Sequence, residues 1–119
     1  MNHDWPKMTT DLTQAIKELR GGATGPMQAF SALAKAALEP KALDVKTKEL
    51  VALAIAVAIR CDGCVAFHAE AAVKHGATRD EVMETMGMAV YMGAGPSVMY
   101  AAQAVEAFDQ FQAKKPAAA

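Results

Sequence analysis

Along most of the chain apolar side chains return every three or four residues, the period of a helix with one face turned inward. Met8, Leu12, Ile16 and Leu19 form the first such stripe, which stops at Gly21-Gly22. Pro26 stands where a first helical turn accepts it, and Met27, Phe30, Leu33, Ala34 and Ala37 follow on one face until Pro40. Asp44 suits the N-cap of a third helix through Leu50, Leu53, Ala54, Val57 and Ala58. From Leu50 to Ile59 this helix carries no charge, which predicts burial nearly all round. Val57–Ile59 alone would suit a strand, but its alanine-rich flanks and the length of the run favour helix.

A break over Arg60–Gly63 precedes a helix through Val65, His68, Ala72 and Val73, closed by Gly76 as a left-handed cap. Thr78-Arg79-Asp80-Glu81 matches a capping box and opens a helix through Val82, Met86, Ala89 and Val90. Gly93-Ala94-Gly95-Pro96 reads as a helix–helix turn, and it lacks the strand and the Lys-Ser/Thr ending of a phosphate loop. A last helix carries Val98, Ala101, Ala102, Val105 and Phe108. The prediction is an all-α fold of about six helices. Residues 1–24 form an N-terminal helix and linker, 25–112 the main domain, and 113–119 a frayed tail starting near Lys114.

Composition sharpens this outline. At 119 residues the chain suits one domain, and 53% hydrophobic content excludes disorder for its body. A net charge of −1 without a basic block argues against nucleic acid or an anionic membrane as partner. No apolar run reaches the length needed to span a bilayer, and the polar start Met1-Asn2-His3-Asp4-Trp5-Pro6 lacks a signal-peptide pattern. A cytoplasmic, soluble protein is the expectation. Aromatic residues are only 6%, whereas alanine makes up close to a quarter of the chain. Alanine favours helix but offers little area to bury, so such a core calls for completion by other subunits.

The chemistry centres on Cys61-Asp62-Gly63-Cys64-Val65-Ala66-Phe67-His68. Cys64 falls in the first turn of a helix, where unpaired N–H groups and the positive dipole end favour thiolate. His68 lies four residues on, on the same helix face, where an imidazole can take the thiol proton. Cys61 is close enough to pair with Cys64 across the turn. In a reducing compartment this spacing points to redox chemistry more than to a structural staple. Zinc held by Cys61, Cys64 and His68 is the alternative, but it lacks a fourth ligand, since only His3 and His75 remain.

Glu49 opens the uncharged helix. By itself it reads as a surface glutamate near a helix N-terminus; the functional alternative is a carboxylate at the solvent–core border that orients His68 and relays a proton. Spacing alone does not set it beside Cys64. His75, just before Gly76, reads as a cation at a helix C-terminus. Met83, Met86, Met88, Met92 and Met99 read as adaptable core or subunit interface. Tyr91 and Tyr100 suit core positions with satisfied hydroxyls, or a pocket rim.

Leu43-Asp44-x-Lys46-Thr47-Lys48-Glu49-Leu50-x-Ala52-Leu53-Ala54, followed by Cys61-x-x-Cys64-x-x-x-His68, resembles the carboxymuconolactone decarboxylase superfamily, and within it the AhpD-like alkylhydroperoxidase branch. Ala89-x-Tyr91-Met92-Gly93-x-Gly95-Pro96 fits the same family's helical hairpin. The resemblance covers roughly residues 25–112. It implies that Cys64 is the peroxidatic thiol, activated through His68 and Glu49, and that Cys61 resolves the sulfenic acid to a disulfide. It further implies a hydroperoxide substrate, a dithiol reductant or reductase protein, no cofactor or metal, and a homo-oligomer, for a single-repeat chain a hexamer. Some members carry a histidine immediately before the second cysteine; here that position is Gly63. The alternatives are a lactone decarboxylase, the reaction that names the superfamily, and a non-catalytic helical assembly module.

Overall fold

A computed structural model describes residues 3–116, which fold into five helices: α1 Trp5–Gly22, α2 Thr24–Leu38, α3 Val45–Ile59, α4 Asp62–Lys74 and α5 Arg79–Lys114. Among the described residues there is no strand. The helix starts follow local chemistry. Asp4, Asp44 and Thr78 each accept a backbone N–H from the first turn of their helix, and Glu81 returns the favour to Thr78 N–H at 2.8 Å, completing the capping box. Gly76, at φ 82°, ends α4: Ala77 N–H donates to Ala72 C=O and Gly76 N–H to Val73 C=O, the paired bonds of a Schellman motif.

The expected fifth and sixth helices run as one element. Ala94 alone leaves the helical region, at φ 55° and ψ −144°, and turns the chain between two rods. Pro96 lies in the first turn after that kink, where its missing N–H costs nothing. Gly93 permits the joint, because a Cβ there would run into the Ser97 side chain, which is buried with its hydroxyl unpaired. The expected tail begins later than read, since α5 continues through Lys114, and 117–119 lie outside the described residues, as do 1–2.

Helices α3, α4 and α5 enclose the core, with α1 laid across α4 and α5. Half of the buried apolar residues are alanine, including Ala56, Ala66, Ala69, Ala72, Ala104 and Ala107, so the helices approach closely around a few large side chains: Trp5, Leu53 and Phe108. Trp5 fixes α1, donating its indole N–H to Glu106 Oε1 and its backbone N–H to Gln110 Oε1, both at 2.8 Å. Lys46 pairs with Glu81 at 2.8 Å, tying the start of α3 to that of α5.

Three expectations are corrected. Helix α3 is not buried all round: Leu53, Ala56 and Val57 face the core, while Val51, Ile55 and Ile59 are exposed. An uncharged run records that both faces avoid charge, not that one chain covers both. Helix α2 buries no residue, and its apolar face leaves Phe30 and Leu33 about two-thirds exposed (62% and 63%). Tyr91 is exposed rather than in the core; the methionines expected in core or subunit interface divide, with Met86 buried and Met83, Met88, Met92 and Met99 exposed on this chain.

Candidate active site

The two cysteines are set by the junction between α3 and α4. Arg60 adopts the left-handed conformation, φ 58°, and Cys61 N–H closes back on Ala56 C=O, so α3 ends sharply. The next residue, Cys61, is already the N-cap of α4. Its Sγ accepts the N–H of Cys64 at 3.2 Å, a capping bond made by sulfur. Cys61 and Cys64 are joined as a disulfide, their Cα atoms 5.2 Å apart. Cys64, third residue of α4, sits half-buried among the helix's free N–H groups, which favour negative charge on its sulfur once reduced.

His68 follows one turn later on the same face of α4. Its ring meets α3 rather than either sulfur: Nδ1 lies 2.7 Å from Glu49 Oε1. A carboxylate only accepts, so Nδ1–H donates and Nε2 is left as the free proton site of the ring. Glu49 is only 5% exposed, which settles its reading: it is not a surface glutamate. A carboxylate withdrawn so far from water requires a partner, and among the described residues His68 is its hydrogen-bonded one.

Two cavities reach this pair. One of about 430 Å³, between α2 and α3, includes His68 and Lys48 in a lining otherwise apolar, with Phe30, Leu43, Val51 and Ile55 among it. The other, about 660 Å³, is lined by Glu49 together with Val45, Pro40 and His75. Lys48 anchors the α2 end between them, donating to the carbonyls of Ala37 and Glu39 at 2.8 and 2.6 Å.

His75 caps α4, as its place before Gly76 predicts, and stands apart from the cysteine turn. Tyr100, by sequence a core or rim position, is half-buried and lies near Asp62, between the cysteines. The nearby Asp62 side chain, together with burial, raises the Tyr100 phenol above the ordinary 10.0, and the Arg60 charge partly offsets this. The contact joins residues 38 apart, so helical spacing gave no sign of it. Among the described residues no three His, Cys, Asp or Glu side chains converge as metal ligands, and no helix is long and apolar enough to cross a membrane.

Comparison with known proteins bears on the family and the fold. The sequence pattern that describes the carboxymuconolactone decarboxylase family matches residues 25–107. An uncharacterised protein of Cupriavidus necator is 41% identical over 113 residues, spanning 89% of this chain and all of its own length. A carboxymuconolactone decarboxylase family protein from Legionella pneumophila superposes with a TM-score of 0.90 at 50% identity, over 93% of this chain and 99% of that one. A family member from Thermotoga maritima, for which a part in antioxidative response has been suggested, superposes with a TM-score of 0.79 at 28% identity, over 88% and 90% of the two chains.

Proposed function

Since the chain belongs to the carboxymuconolactone decarboxylase family, we propose that it works there as a thiol-dependent hydroperoxide reductase and disulfide oxidoreductase. The observation that carries the reading is the buried Glu49 carboxylate hydrogen-bonded to His68, one helical turn from a cysteine that can pair with Cys61. A structural disulfide has no need of a carboxylate–imidazole pair held out of water beside it. Such a pair suits a group that must take a proton and return it.

In the reduced chain Cys64 passes its proton to His68, and Glu49 stabilises the resulting imidazolium. The thiolate attacks the nearer oxygen of a hydroperoxide: an S–O bond forms, the O–O bond breaks, and the departing alkoxide takes the proton from His68 to leave as an alcohol. Cys61 then attacks the Cys64 sulfenic acid, and water leaves as the disulfide forms. A dithiol, free or on a reductase protein, restores both thiols by exchange, supplying two electrons and two protons and leaving as its own disulfide. The largely apolar cavity that His68 helps to line suits a hydroperoxide with an alkyl group. Exposed Phe30, Leu33, Val51, Ile55 and Ile59 support assembly of the chain with copies of itself, with a homohexamer as the proposed form, acting in the cytoplasm.

The test is consumption of an alkyl hydroperoxide with a dithiol as reductant. Cys64→Ser abolishes turnover, whereas Cys61→Ser leaves a single turnover and a sulfenic acid that a dimedone probe traps. Undiminished turnover in Cys64→Ser refutes the reading. Lactone decarboxylation that survives replacement of both cysteines would favour the family's naming reaction instead.

A further inference from the structure

Gly63, between the two cysteines, is the second residue of α4 and has no positive φ. At an ordinary helical position alanine is favoured over glycine by about fivefold, so a glycine here calls for a reason. A Cβ at position 63 would meet one thing within contact range, Leu12 Cδ1, at 3.0 Å. No other glycine of the chain would bring its Cβ against a different helix; six would meet nothing, Gly76 with its positive φ among them, and Gly93 meets Ser97 four residues on in α5. A Cβ at position 63 would thus press on the tip of Leu12, which would have to give by a few tenths of an ångström. Helix α1 is held in register there by Trp5, which is fully buried and bonded to Glu106 and Gln110, and by buried Thr9. Trp5, Thr9 and Leu12 follow the i, i+4, i+7 spacing of one stripe, so the anchor at Trp5 sets where Leu12 meets α4.

We propose that Leu12 is a positioning residue for the Cys61–Cys64 pair: seated on Gly63, it keeps the first turn of α4 wound when the disulfide is reduced. A glycine in that turn frees the backbone between the thiols, and each conformer that separates them lowers the effective concentration of one sulfur at the other. Leu12 removes that freedom from outside the turn. The docked helix α1 therefore favours the disulfide over the dithiol and speeds closure of the pair. The inference rests on the proposed redox role of the cysteines.

The full chain is equilibrated with mixtures of reduced and oxidised glutathione, quenched, and its free thiols counted by alkylation and mass spectrometry. Oxidised glutathione takes two electrons and the two thiol protons, giving two glutathione thiols and the protein disulfide. Leu12→Ala moves the equilibrium toward the dithiol by about two- to fivefold, the freedom a glycine carries. Leu12→Met keeps the wild-type equilibrium, and Ile16→Ala, one turn further along α1, leaves it unmoved. Adding Gly63→Ala to Leu12→Ala restores it, because alanine rewinds the turn once its Cβ has room. Should Leu12→Ala not fold, Leu12→Val gives a smaller shift of the same sign.

A wild-type equilibrium in Leu12→Ala, an equal shift in Ile16→Ala, or no recovery in the double variant overturns the role of Leu12. These readings need no hydroperoxide. A pair that equilibrates normally yet consumes no hydroperoxide overturns the proposed function and leaves the role of Leu12 standing.

Discussion

Replacing Glu49 by glutamine separates a functional carboxylate from a structural one. The side chain is almost wholly buried, and its hydrogen-bonded contact is Nδ1 of His68, 2.7 Å away. Withdrawing a carboxylate from water costs several kcal/mol after relaxation. A hydrogen bond involving a charged group returns about 1.5–3 kcal/mol. Glutamine keeps the shape and the accepting oxygen but drops the charge, so the folded chain should gain about 1–2 kcal/mol, or roughly 4–8 °C in Tm for a domain of this size. Reactivity should move the other way. When Cys64 hands its proton to His68, the imidazolium of the variant faces a neutral amide. The difference between a charged and a neutral hydrogen bond, about 1–2 kcal/mol, slows the step by roughly 5–30-fold. The assay is the iodoacetamide alkylation rate of Cys64 in the reduced chain, followed beside hydroperoxide consumption and thermal unfolding. A variant that is less stable and equally reactive would refute the reasoning, because Glu49 would then serve only to hold two helices together.

Further outcomes follow from the packing. Trp5→Ala should cost about 3–5 kcal/mol in urea unfolding, and Trp5→Phe about 1 kcal/mol, the share of the indole bond to Glu106. Ser97→Ala removes a buried hydroxyl with no partner and should stabilise the chain by about 1 kcal/mol, whereas Gly93→Ala should destabilise it by about 1–3 kcal/mol, both read by calorimetry. The hydrogen bond from Lys46, with the backbone bonds at Thr78, holds the Glu81 carboxyl below the ordinary 4.5. Its contribution is therefore complete above that value and is lost as pH falls through the lower folded value, so Glu81→Gln should flatten the acid limb of Tm against pH.

How much of this was legible depended on whether the cause was local. Caps at Asp44, Thr78 and Gly76 are written within four residues of where they act, and the structure has them where the pattern predicts. The Gly93–Pro96 segment announced a change of direction but not its form. The residue that leaves the helix is Ala94, and how the second rod sets off is bound up with Ser97 packing against Gly93, which helical periodicity does not carry. The pairing of Glu49 with His68 spans the left-handed turn at Arg60, whose angle no spacing rule encodes. Periodicity also cannot distinguish an apolar face that meets its own core from one that does not; Leu53 and Ile55 look alike in sequence and lie on opposite sides of α3. Leu12 and Gly63 were read separately, as a stripe position and as a break, and only the docking of α1 makes them one contact.

The bonds from Trp5 to Glu106 and Gln110 have a consequence for how the chain comes to be folded. They join residues 101 and 105 positions apart, and closing a loop of that length costs of order 4 kcal/mol in chain entropy before any contact repays it. During synthesis α1 emerges early yet has no cavity for its indole until the far end of α5 has followed. The core of α3, α4 and α5 must therefore assemble around the cysteine turn while that turn is still uncovered. A newly made molecule passes through an interval in which its cysteine turn lacks the cover of α1, and docking of the first helix on the last ends it while leaving both cysteines half-buried and within reach of reactants.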